Sequence, residues 1–359
     1  MFWNSAAAIT AGPGLTFDSN YALILPKSDL TVTGIIAPGN FAPFDGLDRT
    51  VDIGEIAVVP ASYAAIRTSA TTVFAVGMNS QFGLGTRPDN EAWVGSAHGG
   101  PSKLFSVNIN PTVAHTILPG VSVGAGLMFE YFDLQRFRVA SGPGLLATNK
   151  IDGSDIGFGA TAGILLQPNA STTIGLGYRS TIHHSLEGKF TTAGGPNQIE
   201  ASMYTPDKVT LSLSQVLAPN MRAHATIEWT NWSRLGVVPI TLAALPTTTV
   251  ANLDFQWKDG WYYAIGGEYD VSPALTLRAG AAYEESPVDK PSQRLLQLPD
   301  NDRIWASFGA SYKWSEKITV DLAYSHVFIK DGEFDRVPAS AGATTTSACW
   351  PWPLRPGGL

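Results

Sequence analysis

The chain has 359 residues, of which 15% are charged, with a formal net charge of −7 and 36 glycines. Charge is sparse against the ~25% of an average soluble domain, and glycine exceeds its ~7% share. No run of about 18 apolar residues occurs, which excludes a transmembrane helix. The absence of a basic patch argues against nucleic acid as a partner.

Met1-Phe2-Trp3-Asn4 carries no basic n-region and is followed by no h-region, so no signal peptide is legible. From there the chain alternates apolar and polar residues in blocks. Residues 221–229 show it best: Met221, Ala223, Ala225, Ile227 and Trp229 alternate with Arg222, His224, Thr226 and Glu228. A period of two puts these sets on opposite faces of a strand. The pattern predicts strands at about 14–25, 49–60, 70–83, 103–114, 121–138, 153–166, 172–186, 205–217, 221–233, 254–270, 274–285, 303–314 and 317–329. Several are joined by tight turns: Leu118-Pro119-Gly120, Gln167-Pro168-Asn169-Ala170, Ala218-Pro219-Asn220, Val271-Ser272-Pro273 and Trp314-Ser315-Glu316-Lys317. Pro, Gly, Asn and Ser supply the φ restriction, positive φ and side-chain hydrogen bonds that such turns need. Between them lie longer Gly/Pro/Ser/Thr-rich stretches at 26–48, 84–102, 187–204, 234–252 and 284–302.

A soluble sandwich with one wet face gives the same alternation. The regular succession of short and long connections favours an up-and-down transmembrane β-barrel, greasy outside and polar inside. Strands of ten residues or so are the length a tilted strand needs to cross the hydrocarbon. The polar face holds Asp155, His224, Glu228, Glu268 and Asp321. Aromatic residues near strand ends (Phe129, Tyr131, Trp229, Trp261, Tyr283, Tyr312, Trp314) read either as interfacial girdles or as ordinary core. The expected architecture is therefore all-β and antiparallel. About 13 strands are present where single-chain bacterial barrels have an even number. The barrel spans 14–335, after an N-terminal remnant at 1–13. The tail at 336–359 carries prolines that bar it from closing the wall and is expected to be disordered. An outer-membrane protein needs export, so either the true start is expected upstream or the chain is a fragment, and the last strand is expected to have been lost, a frameshift being one route.

No catalytic or metal constellation stands out. His183 and His184 point to opposite faces, and are placed at the external rim. His224 and Glu228 share a face but lie roughly 13 Å apart by strand rise, too far for one metal or one acid–base pair. They are expected to join a lumen network with Arg222 and Glu268. Asp300-Asn301-Asp302 reads as a turn with Arg303 as partner, since the later ligands of a calcium loop are absent. Glu284 and Glu285 face opposite ways. Cys349 is the only cysteine, so it has neither disulfide partner nor zinc companions. No nucleophile elbow or phosphate-cradling loop occurs, and neither enzyme activity nor a cofactor is expected.

An ordered set of segments carries a resemblance. Tyr178-Arg179-Ser180 precedes Leu186-Glu187-Gly188, and Trp229-Thr230-Asn231-Trp232-Ser233 ends a strand. Trp257-Lys258-Asp259, Leu277-Arg278-Ala279-Gly280, Ser286-Pro287-Val288 and Leu298-Pro299-Asp300-Asn301-Asp302-Arg303-Ile304-Trp305 follow in order. Over residues 4–335 the chain resembles the long-chain fatty acid transporter family of Gram-negative outer membranes (FadL-type), which includes aromatic-hydrocarbon channels. The resemblance implies a monomeric outer-membrane barrel of about fourteen strands, closed by an N-terminal hatch, that takes up hydrophobic compounds passively. Its small-molecule partners would be fatty acids or hydrocarbons, and its surroundings outer-membrane lipid. The family's hatch-ending Asn-Pro-Ala falls on Asn4, Ser5 and Ala6, with Ser5 in place of proline and most of the hatch missing. The lateral exit of the family falls on Asn79-Ser80-Gln81-Phe82-Gly83-Leu84-Gly85. Glycine inside a strand often marks a bulge, so Phe82 and Gly83 mark a wall kink, the plainer reading being a strand-end glycine. A carboxylate-holding basic residue of the family aligns with Arg138, which shares the parity of Glu130 and points inward if the strand keeps register. Arg136 has the same parity and could substitute, and an exposed loop arginine is the alternative. A second basic position falls on Leu253, a loss that favours less acidic ligands. Leu242, Leu245, Leu295 and Leu296 are expected to form an external capture surface. The alternatives from other classes are an outer-membrane barrel enzyme (lipase or deacylase) and a structural or adhesive barrel.

Overall fold

A computed structural model describes residues 4–35, 46–96, 99–140, 148–336 and 345–350. Among them, thirteen strands build the wall. They are β1 (Leu15–Ile24), β2 (Ala57–Arg67), β3 (Thr72–Asn79, resumed as Gly83–Thr86), β4 (Ser102–Leu118), β5 (Val121–Ala140) and β6 (Thr148–Asn169). Next come β7 (Thr172–Arg179, resumed as Ile182–Thr192), β8 (Gly195–Thr205, resumed as Lys208–Ala218) and β9 (Met221–Thr230, resumed as Val237–Leu242). The rest are β10 (Leu245–Asp254, resumed as Gly260–Ser272), β11 (Leu275–Glu284), β12 (Arg303–Lys313) and β13 (Thr319–Ile329).

Each strand pairs antiparallel with the next, from Leu15↔Ile66 at β1–β2 to Lys313↔Thr319 at β12–β13. This is the predicted meander. The barrel is not closed: among the described residues no ladder joins β13 to β1. The expected tight turns are present at Pro119-Gly120, Pro219-Asn220 and Pro273-Ala274, and Gly120 has the positive φ of 77° that its turn requires. The outer face is mostly apolar, with Phe17, Phe74, Phe158, Ile265, Phe308 and Leu322 each at least half exposed. In water such a surface would aggregate; in a bilayer it is the lipid-facing band.

Three expectations are corrected. The segment 49–60 is not one wall strand. Thr50–Asp52 joins a separate four-stranded sheet, and the wall strand is Ala57–Arg67. Both stretches share the period of two, but Val51 and Ile53 are buried against Leu30, Trp93 and Phe334 rather than facing lipid. The stretches 187–204 and 234–252 are not loops; they are strand that prolongs β7–β10 beyond the band. Their Thr-rich sequence is compatible with strand, and the ladders satisfy the backbone. In the tail, Thr345–Trp350 pairs with Asp29–Ile35 and Gly332–Arg336 in the small sheet, so this part is a strand rather than a disordered segment. It does not close the wall. Cys349 lies on it, opposite Leu30 and Gly332. Met1–Trp3, 337–344 and 351–359 lie outside the described residues.

The N-terminal segment is a short 3-10 helix, Ser5–Thr10, seated in the lumen. Asn4 caps it: its Oδ1 accepts from Ala6 N (2.9 Å) and its Nδ2 donates to Ile164 O (2.9 Å). Ser5 Oγ donates to Thr161 Oγ1 at 2.6 Å. Arg67 donates to the carbonyls of Ile9 and Ala11. The seat exists because the inward positions beneath it are Gly124, Gly163 and Gly175 on three adjacent strands. A Cβ on any of them would collide with Asn4, Ser5 or Ala6.

Candidate functional site

The outer half of the lumen holds an apolar cluster that includes Leu134, Phe137, Ile151, Ile199, Leu253 and Phe255. These residues line a small pocket. Strands β4–β10 build it, which is why their upper parts are apolar on one face. Among the described residues no Lys, Arg or His lines it. Asp152, the one charged lining residue among the described residues, accepts the backbone N–H of Arg136 at 2.8 Å.

The proposed carboxylate ligands are therefore not in this pocket. The β5–β6 register shifts between Leu134 and Phe137, and Arg136 sits in the bulge with φ of 54°. The extra residue inverts the strand's phase, so Phe137 points into the pocket where the alternation had placed Arg136 or Arg138. Arg136 is exposed. The Arg138 guanidinium packs over Gly100, donates to Ser96 O at 2.8 Å and lies 3.4 Å from Glu91 Oε2. Leu253, where the resemblance had placed a second cation, does line the pocket.

Below the pocket an aromatic floor crosses the lumen. Phe82 stands edge-on to Trp232 (centroids 6.0 Å) and is tilted against Phe132 (6.5 Å); Trp232 meets Trp257 at 5.4 Å. Phe82 reaches this far because β3 breaks at Ser80-Gln81-Phe82. The β3–β4 ladder has Asn79↔Asn108 below the break and Gly83↔Phe105 above it, so three residues oppose two. This is a bulge of one extra residue. Accordingly Asn79 and Thr86, seven positions apart, are both buried on the inner face. The bend is held by Phe82 N donating to Ser106 Oγ (3.0 Å), Ser106 N donating to Phe82 O (2.8 Å), and Arg179 Nη2 donating to Gln81 Oε1 across the lumen (2.9 Å). Gly83 follows the bend; its φ is not positive and a Cβ there would make only an ordinary contact with Ser80. The bulge, not the glycine, makes the kink.

On the other side of β3 the ladder with β2 ends at Ala61↔Asn79 and resumes only as the bridge Gly54↔Thr86. Between these points β2 residues 57–60 and β3 residues 80–85 form no ladder with each other among the described residues. Pro60, which has no N–H to give to a ladder, sits on this edge.

Beneath the floor the lumen is polar. Glu130 and His184 are fully buried, with His184 Nε2 3.4 Å from Glu130 Oε1 and Nδ1 3.2 Å from Asp155 Oδ2. His183 faces out, bonded to Ser202 and tilted against the Tyr204 ring. The two histidines oppose each other as expected, but His184 lies in the lumen rather than at the rim. Arg222 donates to Glu268 and Asp270, with His224 3.8 Å from Glu268, which is the anticipated network. Glu228 departs from it and bonds Lys208 and Thr210 instead. Asp300 pairs with Arg303 as read from sequence. Of the proposed capture surface, Leu245 is 57% exposed at a hairpin tip, Leu242 is half-buried, and Leu295 and Leu296 are buried at 8% and 5%. Leu295 packs into the lumen cluster and Leu296 into the core beneath the small sheet, so both hold the loop down.

Residues 1–348 match the family described as outer membrane protein transport protein (OMPP1/FadL/TodX). The chain belongs to this family. It is 27% identical over 320 residues to outer membrane protein P1 of Haemophilus influenzae, covering 78% of this chain and 68% of that one. It is 25% identical over 369 residues to the long-chain fatty acid transport protein of Escherichia coli K12, covering 89% and 80%. Its fold is similar to that of a Pseudomonas aeruginosa FadL homologue (TM-score 0.84, 18% identity, 97% and 89% covered). It is also similar to that of the Pseudomonas putida toluene transporter TodX (TM-score 0.69, 15% identity, 97% and 90% covered). This member of the OMPP1/FadL/TodX family is thus an outer-membrane β-barrel of the transport type, not an enzyme.

Proposed function

We propose that this barrel passes uncharged hydrophobic compounds inward, from the apolar pocket to the opening between β2 and β3, as a monomer and without energy coupling of its own. The observation that carries the reading is the pocket lining. A carboxylate entering it would lose its hydration with no cation to receive it, which is costly. A neutral hydrocarbon gains from burial against Phe132, Phe137 and Phe255 at roughly 25 cal/mol per Å². Phe82 and its neighbours form the step between pocket and opening. A shift of the Ser80–Phe82 bend, or of the Ser5–Thr10 segment below it, would open the path as a change of population between two states. Release sideways through the opening delivers cargo to lipid instead of water, which suits a molecule with no polar group. The experiment is uptake of labelled toluene against labelled oleate in cells lacking their own transporter, with the chain exported to the outer membrane. Toluene uptake that exceeds oleate uptake supports the reading; uptake of oleate alone contradicts it.

A further inference from the structure

Three inward-facing polar residues stand side by side just under the aromatic floor. Asn79 on β3 is opposite Asn108 on β4, and Asn108 is opposite Glu130 on β5. Cross-strand neighbours on one face lie about 4.5–5.5 Å apart at Cβ, so the three side chains form one continuous row. All three are buried. Both amide atoms of Asn79, both of Asn108 and Oε2 of Glu130 have no hydrogen-bond partner among the described residues. Five buried polar atoms in a row is a costly arrangement, because each forgoes the hydration it has in the unfolded chain. Close by in the same lumen Asn110 bonds Leu127 O and Thr112, and Glu228 bonds Lys208 and Thr210.

The row has a definite address. Phe132 lies two residues above Glu130 on the same face of β5, about 6.6 Å along the strand, and it lines the pocket. At the other end, Asn79 is the last β3 residue laddered to β2 before the pairing lapses, where the proposed opening begins. The row therefore connects the bottom of the pocket to the edge of the opening. Its chemistry is mixed: two carboxamides that donate and accept, and a carboxylate already facing His184 and lying in the field of Arg179.

We propose that Asn79, Asn108 and Glu130 form a second site that takes the uncharged, hydrogen-bonding head, a hydroxyl, of an otherwise hydrophobic ligand whose body lies against Phe132. A hydroxyl donates to Glu130 Oε2 and accepts from an asparagine amide. An anionic head meets the repulsion of Glu130, and a bare hydrocarbon leaves the row unmatched. The site deepens the uptake reading and rests on it for the route by which ligand arrives. The substrate class it adds is phenols and other hydroxylated hydrophobes.

The test compares p-cresol with toluene, which share a shape and differ by the hydroxyl. Binding of each to the purified full chain is measured by calorimetry, for the wild type, Asn108→Leu and Asn79→Leu, after heat-modifiable mobility confirms a folded barrel. The site predicts that the wild type binds cresol more tightly than toluene. Either leucine variant should weaken cresol by about tenfold, the worth of one buried hydrogen bond, and leave toluene unchanged. If Asn108→Leu does not fold, Asn79→Leu alone decides. Equal binding of the two compounds by the wild type, or equal weakening of both in the variants, overturns the proposal. Toluene uptake by cells is scored separately. Uptake without a cresol preference removes the site and keeps the transport reading; a cresol preference without uptake does the reverse.

Discussion

Arg179 and Gln81, 98 residues apart in sequence, are joined across the lumen by a 2.9 Å hydrogen bond. The bond ties the inward bend of β3 to β7, and so ties the position of Phe82 to the polar layer beneath it. Arg179 is itself buried, in the field of Glu130, Tyr63 and Glu228.

Removing Arg179 therefore acts at two levels. Arg179→Met should destabilise the barrel by about 3–5 kcal/mol, because Glu130 is left buried without its nearby cation. Gln81→Leu should cost only about 1 kcal/mol while freeing the bend. Urea unfolding in detergent gives the first comparison. Spin labels at Ser80 and Val58, in a Cys349→Ser background, give the second. The expected result is a broader distance distribution in Gln81→Leu than in the parent; an unchanged one would mean that the bond does not hold the bend.

The N-terminal segment should depend on its glycine seat. A Cβ at Gly163 would overlap Asn4 Oδ1, and one at Gly124 would overlap the Ser5–Ala6 peptide. Gly124→Ala and Gly163→Ala should displace the segment at a cost of about 1–3 kcal/mol. Hydrogen exchange of residues 4–11 should speed up, and the hydrogen bond from Ser5 to Thr161 should be lost. Gly14→Ala is no such test, since its φ of 74° strains any side chain.

Leu253→Lys places a cation in a pocket that has none among its lining residues. Oleate binding should rise relative to toluene binding by about tenfold or more, with some loss of stability from the buried charge. Titrating both ligands into the purified variant checks this. A preference unchanged from the parent would show that the lining does not select on charge.

At the external rim, Asp302 receives Lys330 Nζ (2.8 Å), Ser286 N (3.0 Å) and the Tyr283 hydroxyl (3.0 Å). Partial burial pushes its carboxyl up, but the bonds from Lys330, Ser286 and Tyr283 outweigh this and hold it below the usual carboxylate range. A pKa lower in the folded state than in the unfolded one means that the unfolded chain binds the proton more readily. The stabilisation is thus complete above the ordinary carboxylate pKa and is lost as pH falls through the folded value. Thermal unfolding followed against pH should show an acid-side loss that Asp302→Asn reduces, because the amide has no charge to lose.

Much of this was legible in the chain. The alternation of 221–229 fixed which residues of β9 face inward, because any other register would put Arg222 and Glu228 in lipid. The Pro-Gly and Pro-Asn pairs marked turns because few other residues supply those φ values. What eluded the pattern shares one cause. Arg136, Arg138 and Gln81 lie at or beyond bulges, and a single extra residue inverts every later face while leaving the local alternation intact. The pairing of Glu228 with Lys208, rather than with Glu268's neighbours, depends on β8 lying beside β9 at that height, which periodicity does not encode. The small sheet escaped because Val51 and Phe334, both apolar at strand spacing, look like lipid-facing residues until their burial is known.

The central claim is that cargo leaves through the opening that the β3 bulge creates. Deleting Gln81 removes the extra residue, so that two residues face two between Asn79↔Asn108 and Gly83↔Phe105, and β3 can ladder with both neighbours. The measurement is toluene uptake by cells carrying the parent or the Gln81 deletion at matched levels of folded barrel, alongside toluene binding by the purified proteins. The account predicts that the deletion stops uptake and leaves pocket binding in place. Uptake undiminished by the deletion would contradict it.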